Sequence, residues 1–257
     1  MFSEEQLRLY DAQGYLHLGR TLSAEELRAL QNRIDDIMLG RTVYPGMYFQ
    51  IDSPSGDYGD LASSGYEGPS LNYRKIQDLE RDSLFLAFLQ KPLFREIAEP
   101  LVGERVSVFR AMFMNKPAHR GTVLPYHQDG GTQWHLDRER FFTVWTALDP
   151  ATRANGCVQV IPGSHKLGLL SEHGHTITRE QENRHCPEGD SVYLEVEPGE
   201  SVLLHNYLLH RSGVNSTPIP RRAISVVYMD AETRSTRDGT TFPVVFGEGA
   251  LASSSRR

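Results

Sequence analysis

The sequence predicts a mainly β fold with flanking helices, an antiparallel sandwich or barrel buttressed by helices on one face. Helical periodicity is confined to residues 1–105, and short β-rich runs punctuated by Pro and Gly fill about 106 to 230. With 257 residues, 39% of them hydrophobic, the chain suits one core and is expected to form a single domain over 1–257.

Ser3 and Gln6 form a capping-box pattern that opens a short first helix. Ser23 and Glu26 repeat it, and Leu27, Leu30, Ile34, Ile37 and Met38 then recur at helical spacing until Gly40. Residues 41–72 are crowded with Gly, Pro, Ser, Asp and Tyr and keep no sustained period, so they read as a long loop. Loops of that length are binding loops, lids or disordered inserts. The aromatics Tyr44, Tyr48, Phe49, Tyr58 and Tyr66 suit a substrate lid. A second helical stretch, Asp82 to Leu101, keeps Leu84, Phe85, Phe88, Leu89, Phe94 and Ile97 apolar and is broken by Pro92. Strands are expected at Val106–Met114, Phe142–Leu148, Cys157–Ile161, Ser191–Val196, Ser201–His205 and Ala223–Met229. The tail beyond Ala250 is expected to fray.

Charge and composition narrow the function. Lys+Arg 27 against Asp+Glu 33 gives a net charge of -6, so no cationic field is available for a phosphate backbone, and nucleic acid is not an expected partner. Cys157 and Cys186 belong to no CxxC pair and read as free thiols. The first twenty residues lack both a basic region and an apolar run, and no stretch approaches the ~20 apolar residues of a membrane span. A soluble, cytoplasmic protein is therefore expected, its oligomeric state unspecified.

Nine of the ten histidines lie between His119 and His210. In Tyr126-His127-Gln128-Asp129, residues i and i+2 of an extended chain face the same way, so His127 and Asp129 can reach one ion together. One more ligand would complete a facial triad, the arrangement of non-haem Fe(II) oxygenases. A His two residues from an Asp also fits a surface hydrogen bond, so the second half matters. There a strand-and-turn carries His210, and Arg221 follows eleven residues later. A guanidinium beside such a triad can take the far carboxylate of a dicarboxylic cosubstrate in a bidentate pair.

The chain resembles the phytanoyl-CoA dioxygenase-like (PhyH) Fe(II)/2-oxoglutarate oxygenases. Over about residues 70–230 it carries Arg74-Lys75-Ile76-Gln77, Lys116-Pro117, Leu124-Pro-Tyr-His127-Gln-Asp129, Trp145-Thr-Ala-Leu148, Asn155-Gly156-Cys157, Pro162-Gly-Ser-His165 and the His210 to Arg221 segment. The resemblance implies a double-stranded β-helix (jelly-roll, cupin-like) core. It implies that His127, Asp129 and His210 hold the iron, and that Lys75, Met112, Gln128, Trp145, Ser212 and Arg221 line the 2-oxoglutarate pocket. It further implies that O2 and 2-oxoglutarate are consumed, succinate and CO2 are released, and an unactivated C–H bond is hydroxylated. Ring closure or desaturation with the same cofactors is the alternative outcome, and a non-catalytic jelly-roll that binds a metal or sugar is the rival.

Other residues compete for these roles. His205 could replace His210, at the cost of its spacing to Arg221. His173-Gly174-His175 is another same-face pair, read as a solvent loop or substrate contact, and His165 reads as a brace of the fold. Arg222 could replace Arg221, but adjacent strand residues point to opposite faces, so only one looks inward. Substrate contacts are expected from Trp134 and His135, from the 41–72 loop, and from His173 and His175. These stretches offer neither a basic cluster for a CoA phosphate nor a long apolar run, so a polar natural-product substrate, sugar-containing or amino-acid-derived, is expected.

Overall fold

Both capping boxes form as read: Ser3 starts α1 (Glu4–Gln13), and after β1 (Tyr15–Arg20), Ser23 starts α2 (Ala24–Met38). The computed structural model describes residues 3–61, 65–139, 141–171, 175–187 and 189–252; from 253 on, the tail expected to fray lies outside them. Next come β2 (Phe49–Ile51), β3 (Tyr73–Gln77), α3 (Ser83–Leu89) and α4 (Pro92–Val102). Asp82 caps α3 by accepting from the Leu84 and Phe85 amides, and Pro92 opens α4 where its missing N–H costs nothing. The β-rich part holds β4 (Val106–Lys116), β5 (Leu124–His127), β6 (Phe141–Ala147), β7 (Val158–Val160), α5 (Arg179–His185), β8 (Val192–Leu194), β9 (Glu200–His205), β10 (His210–Ser212), β11 (Arg221–Asp230) and β12 (Val244–Phe246).

The strands form two antiparallel sheets, one ordered β1-β9-β6-β11-β4-β3-β2 with β12 also on β4, the other β5-β10-β7-β8. On the larger sheet, side-chain alternation separates two faces. Phe113, Val144, Ile224, Val226 and Tyr228 face outward and pack with Leu30, Ile34, Phe85, Leu89, Phe94 and Ile97 of the helices in one core. Trp145, Ala147, Val202, Leu204 and Ala223 face inward, where they meet Val158, Val160 and Leu194 of the smaller sheet. The helices therefore shield one face of the large sheet and leave the other to build a cavity between the sheets.

The 41–72 segment differs from its reading as a loop without regular structure. It contains β2, which pairs with β3, and it buries Met47 and Phe49. Tyr66 stacks on Tyr73, and the Tyr44 hydroxyl donates to Asp82. The period is lost because these anchors are single side chains and a three-residue strand, too short to repeat. Cys157 and Cys186 are both free thiols.

Candidate active site

β5 and β10 are neighbours, with His127 and His210 directly opposite each other in the register. Opposed residues of an antiparallel pair share a face, so residues 83 positions apart in the chain bring their rings to 4.0 Å between centroids. Asp129, just past the end of β5, faces both: its Oδ1 lies 3.7 Å from His127 Nε2 and its Oδ2 lies 3.6 Å from His210 Nε2.

The backbone orients both imidazoles. His127 Nδ1 lies 2.8 Å from the Pro125 carbonyl, and His210 Nδ1 lies 2.9 Å from the Leu208 carbonyl. A carbonyl can only accept, so each Nδ1 carries a proton and each Nε2 is turned toward Asp129. Burial holds the His127 pKa well below its usual value, reinforced by the neighbouring His210 and His175, so this ring is neutral. Burial alone would push the Asp129 carboxyl up; His210, His175 and His127 together outweigh it and hold it below the usual carboxylate range. Neutral imidazoles and an ionised carboxylate are the protonation states in which such groups bind a metal.

A third imidazole joins this set. His175 Nε2 lies 3.5 Å from Asp129 Oδ1, and His127, Asp129 and His175 each offer a ligand atom within 4.8 Å of the others. The two candidate partners differ in support. His210 sits on a strand hydrogen-bonded on both sides, with its ring fixed by a carbonyl, whereas the buried Nδ1 of His175 has no hydrogen-bond partner among the described residues. Ring orientation therefore favours His210 beside His127.

The cavity around these groups measures about 180 Å³. Lys75, Met112, Trp145, Ser212 and Arg221 line it, as do Trp134 and His175. Arg221 is 4% exposed, has no ion pair among the described residues, and its buried Nε lacks a hydrogen-bond partner. Burial lowers its pKa to about 10, which still leaves it charged at neutral pH. Arg222 points the other way, into a bidentate pair with Asp149 and a contact to Asp35. The alternation expected for these two arginines holds.

Gln128 departs from its reading. It lines no part of the cavity; its amide donates to the Gly168 and Tyr207 carbonyls and its oxygen accepts from the Leu170 amide. The alternation that joins His127 to Asp129 sends the residue between them to the opposite side, where it ties loops together. His135 also lies off the cavity lining, closing a 3-10 turn in the left-handed conformation. His173 lies outside the described residues. His205 packs against His165 and Tyr10, away from the cavity, and His165 contacts the Asp11 carbonyl as a brace.

Tyr58 of the expected lid loop also lines the cavity, as does Arg74, which the sequence reading quoted without a role; Arg110, Thr143 and Ser225 it passed over. One signal was present: Arg110, Met112, Met114 and Lys116 alternate along β4, placing two cations on a strand face that should otherwise be apolar.

Among known proteins, residues 10–223 match the family model of phytanoyl-CoA dioxygenase (PhyH). The chain is 31% identical over 258 residues to phytanoyl-CoA dioxygenase 1 of Oryza sativa subsp. japonica, covering 90% of this chain and 90% of that protein. Its fold is similar to EctD from S. alaskensis, solved with 2-oxoglutarate and 5-hydroxyectoine, with a TM-score of 0.75 at 22% identity over 98% of this chain and 86% of that one. It is also similar to the non-heme alpha ketoglutarate dependent carbocyclase SnoK from nogalamycin biosynthesis, with a TM-score of 0.70 at 24% identity over 91% of this chain and 86% of that one. These likenesses bear out the jelly-roll core.

Proposed function

The chain belongs to the phytanoyl-CoA dioxygenase family of non-haem iron, 2-oxoglutarate-dependent dioxygenases, and from that premise we propose that it hydroxylates an unactivated C–H bond of a polar small molecule. His127, Asp129 and His210 hold the ferrous ion, and Arg221 with Lys75 takes the far carboxylate of 2-oxoglutarate. A single observation carries this assignment: two backbone-oriented Nε2 atoms and a carboxylate face one another in the cavity that also buries a guanidinium without an ion pair among the described residues. The donor set fits a divalent ion that keeps open positions for a chelating cosubstrate.

Iron bound with 2-oxoglutarate supplies oxidative decarboxylation, releasing succinate and CO2, and oxidation of an adjacent C–H bond. The chain's own contribution is positioning. The Pro125 and Leu208 carbonyls orient the two imidazoles so that each presents Nε2 to the ligand set. Arg221 meets the cosubstrate already stripped of water, and Ser212 and Trp145 flank it in the cavity. Trp134 donates its indole N–H to the Asp129 carbonyl and so braces the ligand loop.

The substrate side supports a compact polar molecule. A cavity of about 180 Å³ is below the roughly 300–1,000 Å³ of drug-sized sites, and Tyr58, Thr143, Trp134 and Ser225 mix aromatic with hydroxyl groups. Tyr58 brings the 41–72 loop to this cavity, which supports its reading as a lid on a single catalytic domain. Among the described residues no helix is long and apolar enough to cross a membrane, and a cytoplasmic role in natural-product biosynthesis is the proposed setting.

The test is anaerobic addition of Fe(II) and 2-oxoglutarate, followed by air and metabolite mixtures. A visible charge-transfer band, then succinate and a product heavier by one oxygen, are the expected results. Loss of two hydrogens instead would identify ring closure or desaturation, and absence of both band and succinate would reduce the chain to a binder.

Lys75 makes this site pH-sensitive. Burial, then Arg110 and Arg74, lower its pKa to about 8 from its ordinary value near 10.4. The charged form predominates below that pH and attracts the dianion, so 2-oxoglutarate affinity is expected to fall as pH rises through about 8. In Lys75→Met the affinity is weaker and flat across this window. Parallel pH profiles for the two proteins, measured from the chelate band, would assign the dependence to another group.

A further inference from the structure

The cavity holds more positive charge than iron and 2-oxoglutarate account for. Its lining includes Arg74, Lys75, Arg110, Arg211 and Arg221 against a single carboxylate, Asp129. The dianionic cosubstrate balances a divalent ion, and Arg221 with Lys75 is assigned to its far carboxylate. Arg74 donates to Gln50, and Arg211 bonds Gln159 beside Glu182. Arg110 is left with no ion pair or hydrogen bond to a side chain among the described residues. Its guanidinium lies 4.1 Å from the centroid of the Trp134 ring and 4.7 Å from that of Phe109.

Arg110 faces the cavity in step with Met112 and Met114, and a local irregularity beside it brings Phe109 to the same aromatic ring. The pairing of β4 with β11 runs Arg110 to Val227 and then Val108 to Tyr228, which makes Phe109 the extra residue of a β-bulge. A bulge bends the strand and re-aims side chains, and here it brings Phe109 to Trp134 beside Arg110. Arg110 and Arg221 stand at separate strand positions, with Lys75, opposite Met114, between them. Arg221 is paired with Lys116, six residues along β4, which corresponds to roughly 20 Å of strand.

We propose that Arg110, stacked on Trp134, is the anchor of a second anion subsite that binds a carboxylate of the primary substrate and sets its orientation toward His127, Asp129 and His210. A planar guanidinium held against an aromatic face keeps its edge free for the two parallel hydrogen bonds that a carboxylate accepts. This places the substrate among small carboxylates such as amino-acid derivatives. The inference rests on the 2-oxoglutarate reading above and deepens it.

Both tryptophans of the chain, Trp134 and Trp145, line the cavity, so intrinsic fluorescence reports on it directly. The protein is loaded with Mn(II) and saturating 2-oxoglutarate, then titrated with butyrate, butyramide and inorganic phosphate. Butyrate is expected to give a saturable change with affinity at least about tenfold tighter than butyramide. Arg110→Gln should abolish that preference while still binding 2-oxoglutarate, and Arg110→Lys should retain part of it. Equal binding of butyrate and butyramide by wild type overturns the subsite without recourse to any variant. A preference for phosphate over butyrate overturns the carboxylate assignment. Failure of wild type to bind 2-oxoglutarate at all would instead strike the underlying reading, a result separable from the other two.

Discussion

Asp129→Ala is expected to eliminate metal-dependent stabilisation of the fold and to lower succinate formation by more than about 100-fold, beyond the range found for residues that only support a ligand. Among the described residues the carboxylate is the sole anion lining a cavity with five cations, so without it a divalent ion meets two imidazoles and net repulsion. At an ion concentration a hundred times Kd, wild type should gain about 2.7 kcal/mol, which for a chain of this size raises the melting temperature by roughly 5–11 °C. The variant should show no rise. The same melts decide between the two imidazoles near Asp129: His210→Ala should behave like Asp129→Ala, whereas His175→Ala should keep most of the shift. If His175→Ala loses it and His210→Ala does not, the ligand set is the alternative cluster of His127, Asp129 and His175.

How much of this was legible follows from the range of each interaction. Capping is decided within four residues, so the starts of α1 and α2 were readable, and the end of α2 to within a residue or two. Alternation along a strand is equally local. It sorted Arg221 from Arg222 correctly, and it would have sorted Gln128 from its neighbours had it been applied there in place of the family pattern. β2, β10 and β12 have three residues each, too few for a period, and are strands only because a neighbour satisfies their backbone groups. The approach of Phe109 to Trp134 depends on a bulge that appears only when β4 pairs with β11, and the approach of His175 depends on how its loop folds over β5. Both contacts are tertiary and leave no local pattern.

The two adjacent arginines provide the other large effect, with opposite signs at neighbouring positions. Arg221 is buried and unpaired in the free protein, a cost that burial registers as a lowered pKa. Arg221→Met should therefore raise the melting temperature of the free protein, since replacing a buried charge by an apolar side chain of similar length gains on the order of 1–4 kcal/mol. The same change should weaken 2-oxoglutarate by at least about 2 kcal/mol, roughly thirtyfold in Kd, because the far carboxylate is then buried without its bidentate partner. Arg221→Lys should fall between, retaining charge but losing the fork. Arg222 faces Asp149 and Asp35 across 2.7–2.9 Å contacts, so Arg222→Ala should destabilise the fold by about 3 kcal/mol or more and leave cosubstrate affinity as it was. Thermal melts paired with titrations of the chelate band measure both quantities on each variant. Should Arg221→Met bind 2-oxoglutarate as wild type does, the guanidinium is not the anchor, and its unpaired burial would need another anion to explain it.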